Sequence, residues 1–200
     1  VDEDAREQAL LTALTTEHFV LQTSRGATVA ESVGRATLFL SLLSAALIGL
    51  GFVSGSEHLL RPYLGAVLPT LLITGLLTFG RLTQNMVENS LDLQRIRRIR
   101  AYYHRRFGGD TDFFADAVAG DVSATWAQVG ARPGRRHLLL TAAALVGAVN
   151  AVLLGLGGTL LAGLLGAGLG PAIGVGVVVA LAGFAAQLGY LDRTSVAQLP

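Results

Sequence analysis

Cysteine is absent from the 200-residue chain, and so is lysine: all 15 basic residues are arginine. The first absence excludes disulfides, thiolate metal sites and thiol catalysis. The second excludes Schiff-base chemistry and the lysine of a phosphate-binding loop. Charge of either sign is scarce, at 14% of residues, where an ordinary soluble domain carries about 25%. The scarcity is concentrated: Leu138 to Leu191, 54 residues, contains no Asp, Glu, Arg, Lys or His. A soluble fold would have to expose part of such a run to water, whereas a bilayer core asks for no charge there. A secretion signal is not expected either. Such a signal begins basic and turns apolar early, while this chain opens Val1-Asp2-Glu3-Asp4 and reaches its first long apolar run near Ala36.

What is present reads as four membrane spans. Ala36–Ser54 and Pro62–Gly80 are uncharged runs of 19 residues each, and a span needs about 20 at ~1.5 Å rise per residue. The charge-free stretch after His137 is too long for one span and suits two. Its turn falls either at Gly155-Leu156-Gly157-Gly158 or at Gly168-Leu169-Gly170-Pro171. The second is preferred because proline suits the first turn of a helix, although the third helix is then overlong and has to tilt or protrude. Pro69 is a candidate kink in the second span. Arginine sets the orientation. Ten Arg lie between Arg81 and His137, one (Arg61) lies between the first two spans, and none lies in the second hairpin. The positive-inside tendency then places the large loop, and with four spans both termini, in the cytoplasm.

The second helix need not stop at the membrane. Leu82, Met86, Asn89, Leu93, Ile96, Arg100, Tyr103 and Phe107 alternate spacings of four and three, and no Gly or Pro interrupts residues 82–107. That is a heptad seam in which only Asn89 and Arg100 are not apolar. It serves either to pack on a neighbouring helix of the same chain or to join copies. The N-terminal segment offers the neighbour, with Leu11, Leu14, His18 and Leu21 on the same spacing. Residues 1–34 carry six acids and two Arg (−4), and residues 81–107 carry seven Arg and two acids (+5). Counting rises from Arg35 to Glu7 and from Arg81 to Arg105 brings Glu7 and Arg105 to within about 6 Å of the same height. A two-helix cytoplasmic stalk is therefore expected, with Glu7, Arg95, Arg98 and Arg105 as its pairing charges.

The arginine cluster has rival uses. Anionic lipid is one, but Arg95 lies 14 residues beyond Arg81. That is about 21 Å on a straight helix, against a Debye length of ~8 Å. Nucleic acid is not expected, because the net charge is only +1 and no recognition motif occurs. Gly108 and Gly109 read as a helix end, and Asp110-Thr111-Asp112 as the start of a short helix in a connector over residues 111–136. A calcium loop from Asp110 fails at its sixth and twelfth positions, Ala115 and Asp121, where Gly and Glu are required.

Ionisable residues inside spans mark transport or catalysis, and these spans have none. Among their polar residues, Thr70, Thr74 and Thr78 share one helix face, and Asn150 lies midway along the third span. They read as a polar seam, serving either helix packing or a path for an uncharged solute. No pair of histidines has metal-ligand spacing and no catalytic motif occurs, so neither cofactor, metal nor enzymatic activity is expected.

Two stretches, Glu17-His18-Phe19-Val20-Leu21-Gln22-Thr23 leading into Glu31-Ser32-Val33-Gly34-Arg35-Ala36, and Ile96-Arg97-Arg98-Ile99-Arg100-Ala101-Tyr102-Tyr103, together resemble small uncharacterised multi-pass membrane proteins of actinobacteria. The resemblance covers roughly residues 15–110 and implies no activity. The layout is also similar to that of SLATT-type bacterial effector domains, which pair a transmembrane hairpin with cytoplasmic helices and are proposed to form pores. The second hairpin departs from that pattern.

The sequence thus points to an all-α integral membrane four-helix bundle of two transmembrane hairpins with a cytoplasmic helical stalk, in the plasma membrane. Residues 1–110 form the N-terminal helix, first hairpin and long helix; residues 137–200 form the second hairpin and tail. The expected partners are the lipid bilayer and further copies of the chain. The rival readings are a channel for a passively moving solute and an anchor or scaffold for a protein docked on the stalk.

Overall fold

The structure, a computed structural model, describes residues 3–108, 114, 117 and 139–196. Among these the secondary structure is helical, in four long elements: α1 (Glu3–Val53), α2 (Glu57–Phe107), α3 (Ala142–Leu164) and α4 (Leu169–Val196). Each is long and apolar enough to cross a membrane. The expected connector over residues 111–136 falls outside the described residues apart from Phe114 and Ala117, as do His137 and Leu138.

The N-terminal segment and the first apolar run are one uninterrupted helix of 51 residues, with Glu3 and Asp4 in the first turn, where carboxylates meet the positive end of the helix dipole. The helix ends where Ser54 donates its N–H to Leu50 O at 2.9 Å and its hydroxyl to Gly51 O at 2.9 Å. Three residues later α2 begins, with Ser56 O accepting from Leu60 N at 2.9 Å. It too runs 51 residues, and it continues through Pro62 and Pro69. Pro69 has no N–H for the Gly65 carbonyl, so the helix continues there with one bond fewer.

The third helix is not overlong. Thr141 starts it, its hydroxyl oxygen accepting from Ala144 N at 3.1 Å, as an N-cap does. Gly166 ends it with φ +89°. Ala167 N donates to Ala162 O at 3.0 Å and Gly166 N to Gly163 O at 3.1 Å. Those two bonds make a Schellman motif, whose left-handed residue strains any side chain and favours glycine. The chain re-enters helix at Leu169, with Pro171 in the first turn, so the turn spans residues 165–168 and Gly155–Gly158 lies inside α3. Gly166 therefore lies in the turn and Gly170 in the first turn of α4.

The chain divides into two compact units, Val1–Glu31 with Asn85–His137, and Ser32–Gln84 with Leu138–Pro200. In the first, α1 and α2 pack through Leu21, Ile96 and Ile99, all buried, with Leu14 and Tyr103 against them. In the second, the buried groups include Phe39, Leu71, Phe79, Val146 and Leu191. Within it α3 and α4 approach so closely that a Cβ on Gly176 would overlap the Thr159 hydroxyl and lie 2.7 Å from Gly155 O. The outer faces of this unit are apolar as well: Phe52 is 85% and Leu140 84% exposed, and only 6% of the apolar window of α1 is buried. Apolar surface of that extent is untenable in water and suits hydrocarbon.

Candidate functional site

Two polar constellations are held by these helices, one in each unit. In the first unit side-chain contacts cross the α1–α2 seam along its length. Arg106 donates to Glu7 through Nε at 2.8 Å and Nη2 at 2.9 Å. The Thr15 and Tyr103 hydroxyls lie 3.0 Å apart, the Ser24 hydroxyl donates to Asp92 Oδ2 at 2.9 Å, and Arg25 Nε donates to Asn89 Oδ1 at 3.0 Å. Asn89, which breaks the apolar seam in the sequence, is thus the acceptor for a cation on the facing helix. Such a polar seam residue fixes register.

The pairing charges differ in part from those expected. Glu7 takes Arg106, one residue beyond Arg105: at 100° per residue the two neighbouring guanidiniums leave α2 on different sides, and that of Arg106 faces the carboxylate. Arg95 lies 3.6 Å from Asp92 of its own helix, and it points outward with Arg98 and Arg105, which are exposed. None of the three bridges to α1 among the described residues. The fork from Arg106 holds the Glu7 carboxyl below its ordinary value, and Glu7 in turn raises Arg106. Both groups are solvated, so the pair contributes little to stability. Arg100, the other polar position in the seam, buries its Nε without a hydrogen-bond partner and sets its guanidinium carbon 5.9 Å from the Phe114 ring centre, within cation–π range.

In the second unit Asn150 is fully buried on α3, and neither its Oδ1 nor its Nδ2 has a hydrogen-bond partner. Its amide fills the space left by the missing side chain of Gly75 on α2: a Cβ there would overlap Asn150 Oδ1 and reach 3.0 Å from the Phe39 ring. One turn earlier on α3, a Cβ on Gly147 would lie 3.3 Å from Gln187 Oε1 and 3.3 Å from Phe79. The Gln187 Oε1 is likewise buried and unpartnered, while its Nε2 donates to Gly183 O at 3.2 Å. The Asn150 amide thus lies at Gly75 beside Phe39, and the Gln187 amide lies at Gly147, which Phe79 also approaches. Sequence reasoning singled out Asn150 but not Gln187; the signal was its being the one long polar side chain in the last span.

The threonine seam is only partly interior. Thr78 is buried and Thr74 half-buried, but Thr70 is exposed, its hydroxyl donating to Ala66 O at 2.8 Å. Bonded back to its own helix, a threonine presents a methyl surface outward. Among the described residues no group of three or more His, Cys, Asp and Glu is placed to hold a metal. Comparison with known proteins finds no matching family model, curated protein or solved structure.

Proposed function

We propose that this chain is a non-enzymatic four-helix membrane bundle that assembles with copies of itself. The α1–α2 hairpin of the first unit lies on the cytoplasmic side and acts as a scaffold or sensing element. The observation that carries this reading is the contrast between the units. The spans hold no ionisable group, and their interior polar groups are amides and hydroxyls suited to packing. The α1–α2 pair of the first unit is cross-bonded along its length, from Glu7–Arg106 to Arg25–Asn89, as befits two helices held in one register. Arginine density over residues 81–137 supports the inner-side placement. Native mass determination of the intact chain in detergent tests the proposal: a mass of several copies is expected, and a strict monomer refutes it.

A second reading, passage of an uncharged solute, is favoured by one specific feature, the buried and unpartnered amide of Asn150. Under this reading Thr74, Thr78 and Asn150 contact the solute. Liposomes containing the chain then show flux of small neutral solutes that Asn150→Leu abolishes, and liposomes without any such flux dismiss the reading.

A further inference from the structure

The two helical hairpins of the second unit end differently. At the connection between α1 and α2 stand Ser54, Ser56, Glu57 and His58, side chains that ask for water. The connection between α3 and α4 has nothing of the kind: from Leu160 to Ala186, 27 residues that include the whole turn, no side chain is polar. Leucines stand at its tip instead. Leu164 is 79%, Leu165 80% and Leu169 78% exposed. Three such groups together on a charge-free tip form an apolar cap, unlike the single apolar residues scattered over any soluble surface.

The backbone of this turn makes few demands on water. Leu165 N donates to Leu161 O at 3.1 Å, Gly166 N to Gly163 O at 3.1 Å, Ala167 N to Ala162 O at 3.0 Å and Ala172 N to Gly168 O at 3.0 Å. Pro171 has no N–H to satisfy. The groups still open include the N–H donors at the start of α4. Deep hydrocarbon offers these no acceptor, so the turn belongs at the level of the lipid ester carbonyls, beside the first acyl carbons.

Continuity identifies what covers the cap. It passes without a polar break into the outer faces of α3 and α4, where Leu161, Ile173 and Val177 are also exposed, faces fit for hydrocarbon. The chain's own tail is too short to cover it. Residues 197–200 extend at most about 14 Å, whereas the 28 residues of α4 separate them from the turn by about 42 Å. Residues 109–137 lead into the opposite end of α3 and carry four Asp and three Arg, charges that a path alongside the spans would have to bury. We infer that the α3–α4 turn is a lipid-docking tip. Leu164, Leu165 and Leu169 seat it among the acyl chains next to the ester groups, and it does not emerge into water as the α1–α2 connection does. This rests on the four-span reading above and adds where the second hairpin ends.

The chain has no cysteine of its own, so single thiols report cleanly. Leu165→Cys, His58→Cys and Arg105→Cys are each placed in the full chain in sealed phosphatidylcholine vesicles and offered an impermeant maleimide from either side. Only the thiolate reacts, and apolar surroundings suppress it, so Leu165→Cys should label roughly tenfold more slowly than His58→Cys, whichever side the reagent is on. Gly168→Cys, whose Cβ has only Pro171 nearby, at 3.9 Å, should repeat the result. A bimane on the Leu165→Cys thiol should be quenched by phospholipid bearing a nitroxide near its ester group and spared by aqueous iodide. Fast labelling or iodide quenching at Leu165→Cys, with His58→Cys and Arg105→Cys labelled from opposite sides, overturns the tip and leaves the spans standing. A thiol shielded from the maleimide, from iodide and from the lipid nitroxide is covered by protein, which overturns the inference in favour of a second copy. His58→Cys and Arg105→Cys labelled from one side remove the four-span reading and the tip with it.

Discussion

Replacing Asn150 by leucine should stabilise this protein. The amide is fully buried, and neither of its polar atoms has a partner. An unsatisfied buried polar group costs about 1–3 kcal/mol. In a membrane protein the unfolded reference also finds partners, so about 1 kcal/mol applies. Leucine has nearly the same shape and places methyl groups where Oδ1 and Nδ2 now lie, beside Gly75 and Phe39. For a chain of this size 1 kcal/mol moves a thermal midpoint by about 2–4 °C. Asn150→Leu should therefore raise the midpoint by that much, followed as loss of helical circular dichroism in detergent. Asn150→Ala removes the same amide but leaves a void, and should lower the midpoint by a similar amount. A lowered midpoint for Asn150→Leu would refute the reasoning, since it would mean that the amide is bonded, to water or to a ligand, when the protein sits in its membrane.

Three further outcomes follow from the geometry. Gly176→Ala drives a methyl into Thr159 and the backbone of Gly155, and should cost about 1–3 kcal/mol, read as a drop in the same thermal midpoint. Leu21→Ala empties the buried contact with Ile96 and Ile99. It should destabilise the α1–α2 hairpin by about 2 kcal/mol, seen as faster proteolysis of residues 82–107 without loss of the span helices. Glu7 should titrate at lower pH in the folded chain than in the unfolded one, because Arg106 stabilises the carboxylate. Its contribution is then present above the unfolded pKa and lost as pH falls through the folded pKa. Carboxyl NMR should show the Glu7 midpoint rising toward its ordinary value in Arg106→Gln.

How far the sequence disclosed this fold depended on which physical signal each part emits. Long charge-free runs are unambiguous, so four span-length helices were legible from Ala36 onward. The turn between α3 and α4 was legible only as one of two glycine clusters. The deciding feature, a Schellman end at Gly166, needs backbone dihedrals that several glycines could have supplied. Counting rises along two helices brought Glu7 to the correct turn of α2, but the choice between the adjacent Arg105 and Arg106 depends on which way each side chain faces, and height does not give that. Asn89 was visible as an interruption of a seam, and its acceptor role for Arg25 needed the facing helix. Thr70 was grouped with Thr74 and Thr78 by spacing alone, and spacing does not say where a neighbouring helix ends.

The central claim is that four helices cross the bilayer with residues 82–107 on the inner side and the α1–α2 turn on the outer side. His58, in the first turn of α2 next to that connection, and Arg105, near the end of α2, are both exposed. In this cysteine-free chain, His58→Cys and Arg105→Cys can each be challenged with a membrane-impermeant thiol reagent in sealed vesicles of known orientation. Labelling of His58→Cys only from outside and of Arg105→Cys only from the cytoplasmic face is the result the account predicts. Labelling of both from the same side would contradict it.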